Sequence, residues 1–211
     1  MIVIALDTAS PFPSVAVVRA GALFEQRLST ERRASEDLLP ALAGCLDKAG
    51  AHLSDCERIA VCSGPGSFTG VRIGLATAWG LRRALGCRLE AVPTLEAMAE
   101  AARETGEETV ATALGAGRAE VVLSRFRLEA ARARALSPSV RIPAADAAAA
   151  AEGAPIFCLP FDLLPGGRPL PRTPCAALAL AVARQPGAAM EDPPEAIYAR
   201  PSAAEEKRGA S

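Results

Sequence analysis

The first residue that could take part in catalysis is Asp7, which directly follows the apolar stretch Ile2–Leu6. Such a stretch predicts a buried strand, and a carboxylate at its end could hold a magnesium-bound water, because Mg²⁺ prefers oxygen ligands and keeps several waters. The next residues, Thr8–Ser10, contain no glycine that would let a phosphate approach closely. We therefore favour a structural role for Asp7, in which its side chain caps a turn.

A second candidate is the glycine-rich run Ser63–Gly74, with the sequence SGPGSFTGVRIG. It joins an apolar segment, Ile59–Cys62, to a helical pattern that reaches about Leu85. Glycine adopts backbone angles that other residues avoid, and the free N–H groups of a helix start attract anions, so this loop could cradle a phosphate. It lacks the lysine of a P-loop, and a tight turn between strand and helix is the favoured interpretation. The residues of a vestigial nucleotide site would be Asp7, Gly64, Gly66 and Ser67.

Three small residues, Gly70, Gly74 and Ala78, recur at every fourth position and so share one side of the second predicted helix. An interior glycine costs a helix about 1 kcal/mol relative to alanine, which indicates a packing reason. One explanation is the protein's own sheet, which one face of the helix must cover. We favour the other, a helix of a partner protein that approaches along this stripe. A leucine at Gly74 is then expected to block pairing and to leave the single chain folded.

Several kinds of chemistry are excluded by what the chain lacks. A metallopeptidase needs clustered ligands such as H-E-x-x-H, and the only histidine is His52. A Ser-His-Asp triad would depend on the same side chain. The six cysteines have no C-x-x-C spacing and lie mostly in apolar runs, which predicts reduced thiols in a cytosolic protein. They are Cys45, Cys56, Cys62, Cys87, Cys158 and Cys175.

Composition narrows the class of protein further. Half of the 211 residues are apolar, enough for a real core, and 23 basic against 24 acidic residues give a net charge of −1. That balance argues against a protein whose main task is to grip nucleic acid. Met1–Leu6 has no basic flank and is followed by Asp7, so neither secretion nor membrane insertion is expected. An arginine cluster in the second half could still contact phosphates, although protection of an edge strand is the favoured interpretation. Its members are Arg118, Arg125, Arg127, Arg132 and Arg134.

The predicted elements form two halves with a similar pattern. The first half reads βββαβαβα, with strands at 2–6, 14–19, 23–29, 59–62 and 88–92 and helices at about 38–49, 68–85 and 94–103. The second repeats it more faintly, with strands at 109–114, 121–128, 133–136 and 156–159 and helices near 144–151 and 176–183. A charged boundary near 104–108 would divide the chain into an N-terminal lobe, 1–103, and a smaller, degenerate C-terminal lobe, 104–211.

Five segments, in this order along the chain, resemble the TsaB (YeaZ) family: IALDTA, SEDLLP, SGPGSFTGVRIGLATAWGL, VPTLEAMA and IYARP. The match is strong over residues 1–100 and weak after them. Members of this family are bacterial subunits of the machinery that makes threonylcarbamoyladenosine in tRNA. The resemblance implies an α/β fold of the actin-like, sugar-kinase and Hsp70 group (ribonuclease H-like). Such a fold has two lobes of duplicated βββαβα units, of which the second is reduced here.

For function, the resemblance implies a non-catalytic scaffold that activates a catalytic, TsaD-like paralogue, with a small TsaE-like ATPase joining them. The chain could also form a homodimer when alone, and its contact with tRNA would be indirect or weak. ATP and magnesium would be used by the partner subunits, so no cofactor, metal or catalytic residue is expected in this cytoplasmic chain. By the same resemblance, pairing uses the first two helices. The predicted partner surface comprises Leu38, Leu39, Leu42, Leu46, Gly70, Val71, Gly74, Leu75, Ala78 and Trp79.

Two departures from related proteins bear on enzymatic interpretations of the chain. One interpretation is an ATP-dependent phosphotransferase that uses Asp7 and the glycine loop, and the other is a peptidase. The second-lobe turn at Leu114–Gly117 has no aspartate, although an ATP clamp needs both lobes. Ala34 stands where family members often carry a histidine, so the older label of peptidase M22-like glycoprotease finds no ligands here. The scaffold is therefore the favoured interpretation.

Overall fold

The computed structural model describes residues 1–29, 34–184 and 196–197. Its first lobe is a five-stranded sheet in the order β3-β2-β1-β4-β5. The strands are β1 (Ile2–Asp7), β2 (Ser14–Arg19), β3 (Ala22–Arg27), β4 (Arg58–Cys62) and β5 (Arg88–Val92). The first three pair antiparallel, whereas β4 lies parallel to both β1 and β5. All five predicted strands of this lobe are confirmed.

Two helices cover one face of this sheet, α1 (Ala34–Ala49) and α2 (Phe68–Leu85). The α2 helix starts where the Ser67 hydroxyl accepts a hydrogen bond from the Gly70 N–H at 3.2 Å. It ends at Gly86, whose left-handed φ of 68° lets the chain turn away. Because both helices follow the 3.6-residue period, each turns an apolar side toward the sheet, α1 toward β2 and β3 and α2 toward β4, β5 and β1.

The second lobe is a smaller sheet in the order β10-β6-β7-β8, with β9 also paired to β7. The strands are β6 (Thr109–Gly117), β7 (Glu120–Leu128), β8 (Ala133–Ala135), β9 (Val140–Pro143) and β10 (Ile156–Leu159). The β6–β7 hairpin turns through Arg118 and Ala119, both at positive φ, as a two-residue turn of this twist requires. Its own helix, α4 (Ala147–Ala150), is a single turn, so the lobe is reduced as predicted. Among the described strands of this lobe, only β9 was not predicted, because its short VRIP sequence carries no clear alternation.

Two further helices in the described part of the chain cross between the lobes. Helix α3 (Thr94–Ala101) follows β5, yet its Leu95 and Met98 belong to the second core. Helix α5 (Pro174–Arg184) follows the second lobe, yet it packs on the uncovered face of the first sheet. That face is lined by small residues, and the Cys175 thiol donates to the Ala5 carbonyl at 3.2 Å, a close approach that an alanine-rich helix permits. Helices from both sides of the predicted boundary at 103/104 therefore pack against the other lobe, α3 in the second core and α5 on the first sheet.

Buried ion pairs hold the lobes together at β5. Glu90 accepts from Arg58 at 3.2 Å, and both side chains are almost inaccessible to water. Arg132, from the loop before β8, pairs with Glu90 and with Glu96 of α3. Burial raises the pKa of Glu96, and the Arg132 guanidinium only partly offsets this. Glu90 therefore serves two arginines from opposite lobes.

A second group of ion pairs centres on Glu100 of α3. Its carboxylate accepts from Arg103 at 2.8 and 3.0 Å, from Arg184 at the end of α5 at 2.7 Å, and from the Ala133 N–H at 2.5 Å. One acidic side chain thus links α3, α5 and β8, and its hydrogen bonds compensate the cost of burying the charge.

The predicted arginine cluster is dispersed by the fold. Arg132 lies partly buried between the lobes, Arg125 pairs with Glu152, and Arg134 pairs with Glu129. The interpretation of Arg125 and Arg127 as guards of an edge strand was wrong, because β7 lies inside the sheet between β6 and the β8–β9 side. Within the described residues, no helix is long and apolar enough to cross a membrane.

Glu90→Gln should destabilise the protein strongly, because it removes a charge shared by two largely buried arginines. We expect the free energy of unfolding in urea to fall by about 3 kcal/mol. Glu129→Gln is the matched control, since the Glu129–Arg134 pair is about half exposed, and it should cost less than about 1 kcal/mol. Equal losses in the two variants would contradict a special role for Glu90.

Candidate functional site

Asp7 lies at the end of β1 and is completely buried. Its Oδ1 accepts hydrogen bonds from the backbone N–H groups of Ala9, at 2.9 Å, and Ser10, at 3.0 Å. This is the turn that a short acidic side chain makes with its own following backbone. The Ser10 hydroxyl and the Cys62 thiol are its other polar neighbours, and Oδ2 has no partner within hydrogen-bond distance among the described residues.

The electrostatics of Asp7 follow from this burial. Loss of solvation raises the pKa of the carboxyl group above its ordinary 3.8, and the hydrogen bonds from Ser10, Ala9 and Cys62 offset this only in part. A carboxylate that holds a magnesium-bound water must face solvent and stay ionised. The geometry therefore supports the structural role of Asp7 rather than metal chemistry.

The glycine-rich turn is closed by the chain's own backbone. A Cβ at Gly66 would overlap the Ala9 carbonyl, and that oxygen accepts from the Ser67 N–H at 2.8 Å. On the other side, a Cβ at Gly64 would overlap the Ile197 carbonyl, while the Ile197 N–H donates to Ser63 at 2.7 Å. The room that glycine leaves for a phosphate in other loops is thus filled by protein here, which supports the interpretation as a tight turn.

The small-residue stripe of α2 faces inward, so its interpretation as a groove for an external helix was wrong. A Cβ at Gly70 would overlap the Thr8 carbonyl, and a Cβ at Gly74 would lie 2.6 Å from the Thr8 hydroxyl oxygen and 3.3 Å from Val61. That hydroxyl donates to the Gly70 carbonyl at 2.6 Å. The stripe therefore lets α2 settle on the first turn and on β4. Gly74→Leu would disrupt this lobe, contrary to the prediction that the single chain stays folded.

Most of the predicted partner surface is likewise inside the first lobe. Buried in its core are Leu38, Leu42, Leu46, Gly70, Val71, Gly74, Leu75 and Ala78. Of the predicted residues, only Leu39, which is 51% exposed, and Trp79, which is partly exposed beneath the Arg82 guanidinium, reach the surface. These residues are buried because a helix that packs on a sheet turns its apolar side toward that sheet.

The accessible side of the two helices, which we call the outer face, shares only Leu39 with the predicted partner surface. It is formed by Leu39, Pro40 and Ala43 of α1 and by Ala76 and Gly80 of α2, all of them exposed. The two helices lie side by side on one face of the sheet. Sequence reasoning missed Pro40, Ala43, Ala76 and Gly80, although the positions opposite the glycine stripe could have indicated the last two.

The remaining candidates for chemistry are dispersed. Within the described ranges, no three His, Cys, Asp or Glu side chains gather as a metal ion would require. All six cysteines are free thiols. Burial raises the pKa of Cys62 and of Cys175 well above the ordinary thiol value, so both are held in the unreactive protonated form.

Two sheets of this topology, with a closed turn in place of an open phosphate loop, define an α/β protein of the actin-like fold class. A family model described as TsaD, tRNA N6-adenosine threonylcarbamoyltransferase, matches residues 28–154, more than half of the chain. YeaZ from Pseudomonas aeruginosa superposes with a TM-score of 0.72 and 32% identity, over 86% of this chain and 90% of that one. A second Pseudomonas aeruginosa protein, described as similar to peptidase YeaZ, superposes with a TM-score of 0.73 and 31% identity. The match covers 94% of this chain and 99% of that one. The chain belongs to the TsaB (YeaZ) family.

Curated relatives agree with this placement. The Escherichia coli tRNA threonylcarbamoyladenosine biosynthesis protein TsaB is 37% identical over 60% of this chain, and an uncharacterised Mycobacterium tuberculosis protein is 33% identical over 75%. The aligned region spans 55% of the Escherichia coli protein and 76% of the mycobacterial one. The IYARP segment of the resemblance lies mostly outside the described residues.

Gly70→Ala should destabilise the chain, because the new methyl group would overlap the Thr8 carbonyl. We expect a loss of about 2 kcal/mol or more in the free energy of unfolding, measured in urea. Gly80→Ala on the same helix is the matched control: a Cβ there meets nothing within 4 Å, so the variant should gain up to about 1 kcal/mol. An unchanged free energy of unfolding in Gly70→Ala would contradict the close contact between Gly70 and the Thr8 carbonyl.

Asp7→Asn should separate the hydrogen bonds of the turn from the charge of the carboxylate. Since the pKa of Asp7 is raised in the folded chain, the stability it contributes is full below its ordinary value of 3.8 and is lost as pH rises through the folded pKa. Asparagine keeps an acceptor for Ala9 and Ser10 and does not titrate. The unfolding free energy of the variant minus that of the wild type should therefore increase with pH from about pH 4 upward. Urea denaturation across pH measures it, and a pH-independent difference would refute the raised pKa.

Proposed function

We propose that this chain is a non-catalytic scaffold subunit in the biosynthesis of threonylcarbamoyladenosine in tRNA. The observation that carries the proposal is that a phosphate has no access to the candidate nucleotide site. Asp7 is buried, and backbone carbonyls occupy the space beside Gly64 and Gly66. The names of the Escherichia coli relative and of the matching family model supply the pathway. The phosphotransferase alternative is disfavoured by the same closure.

The partner we propose is a catalytic paralogue that carries the transferase site, with a small ATPase as a third component. In this arrangement ATP and magnesium belong to the partners, tRNA contact is made mainly through the catalytic subunit, and self-pairing occurs when that subunit is absent. Activation follows if this chain binds the active conformation of its partner more tightly than the inactive one.

The outer face is the surface we propose for pairing. Its small residues, Ala43, Ala76 and Gly80, would let the axis of an arriving helix come close, since interaxial distance depends on side-chain size at the contact. Leu39 would serve as the anchor, because an exposed large apolar side chain gains most from burial. Pairing would thus use the same two helices as the sequence resemblance implies, but through their opposite sides.

Reconstitution tests the proposal. Transfer of labelled threonylcarbamoyl from its adenylate to tRNA is measured with the catalytic paralogue alone, this chain alone, and both. Activity only with both present is expected, and full activity of the paralogue alone would refute the scaffold. Calorimetry of the isolated chain with Mg-ATP tests the alternative, since tight binding would favour the phosphotransferase.

Ala76→Glu tests the outer face through its effect on pairing with the catalytic paralogue. A charge placed at the centre of a helix contact should lower pairing at least about tenfold, because an unpaired carboxylate would be buried. Ala148→Glu is the matched control, an exposed helical alanine in the second lobe. Light scattering gives the mass of the complex and circular dichroism verifies folding. Unchanged pairing of folded Ala76→Glu would move the interface elsewhere.

A further inference from the structure

A cavity of about 350 Å³ opens between the lobes, away from the outer face. It is bounded by the β1–β2 turn, the ends of β3 and β10, and the segment that leads into α5. Among its lining residues are Phe12, Arg27, Phe161, Leu170, Arg172 and Pro174. In α/β proteins, ligands bind in the crevice outside the carboxyl ends of the strands. The volume lies at the lower end of the range for small-molecule sites.

The charged side chains that line this cavity are both basic, and the nearby carboxylates of Glu104 and Glu25 contact the lining residues Arg172 and Thr173. Two lining residues, Arg27 and Arg172, carry guanidinium groups, and no lining residue carries a carboxylate. Arg172 already pairs with Glu104. Arg27 is exposed, makes no ion pair within the described part of the chain, and lies over the Phe12 ring at 5.7 Å from its centroid. This stacking orients the guanidinium and leaves its N–H donors available for a planar anion.

The other walls suit a flat apolar group. Phe161 is 58% exposed, an unusual state for so large an apolar side chain, and Leu170 and Pro174 line the same cavity. Aromatic side chains favour stacked or edge-on contact with another ring. An apolar body with one anionic substituent would therefore satisfy both the rings and Arg27.

We propose that this cavity, which we also call the cleft, binds a small aromatic anion. The carboxylate or phosphate group of the anion would lie on the Arg27 guanidinium and its ring against Phe161. The proposal is independent of the scaffold function, since the cleft and the outer face share no residue. The cavity volume of about 350 Å³ limits the ligand to a small molecule.

The test uses three probes with one ring system: 1-naphthoate, 1-naphthyl phosphate and neutral 1-naphthol. Each is titrated calorimetrically into the full chain at low ionic strength. We expect at least one anion to bind with 1:1 stoichiometry and about tenfold tighter than naphthol, because a charge-assisted hydrogen bond adds to the ring contact. The tighter anion decides between a carboxylate and a phosphate ligand.

Variants assign the binding to the cleft. Arg27→Gln should abolish the preference for the anion over naphthol, whereas Phe161→Ala should weaken all three probes. Arg83→Gln, which removes an exposed charge from α2, is the matched control and should leave binding unchanged. Equal anion affinity in wild type and Arg27→Gln, or binding of Mg-ATP tighter than either naphthalene anion, would overturn the proposal.

Discussion

The Thr8 carbonyl oxygen lies where a side chain at Gly70 would begin, and the Thr8 hydroxyl donates to the Gly70 carbonyl at 2.6 Å. This contact sets the height at which α2 rests on the sheet, and the packing of Val71 and Ala78 follows from it. The same turn, through Ala9, holds the glycine-rich loop at Gly66. Glycine is required at these places because two backbones meet there with no room for a Cβ.

The first turn and the glycine-rich loop are closed by the protein's own backbone. A carboxylate and a glycine-rich turn remain in sequence, but Asp7 makes hydrogen bonds to its own turn and the loop accepts Ile197 on its open side. The residues that could have approached a phosphate instead stabilise the lobe. The two surfaces that we propose for interaction, the outer face and the cavity beside Arg27, lie elsewhere.

Each lobe contributes a helix to the core of the other. Helix α3 contributes to the second core and α5 covers the first sheet, so neither lobe completes its core from its own half of the sequence. Glu90 and Glu100 then link elements of both lobes through buried or partly buried arginines. Such an arrangement favours a body that holds its helices in a fixed orientation over one whose lobes move freely about a hinge.

Sequence alone determined the order and bounds of nearly all strands and helices, because alternation and the 3.6-residue period are local properties. It also determined the fold class and the family, through motifs that run along the first hundred residues. Tertiary structure decided which side of each helix is buried: Gly74 and Leu42 face the sheet, whereas Ala76 and Leu39 face outward. It also decided that Arg132 forms ion pairs with Glu90 and Glu96 across the lobes and that α5 packs on the first sheet. Periodicity fixes which residues share a face, but only the assembled sheet and the residues distant in sequence fix where that face points.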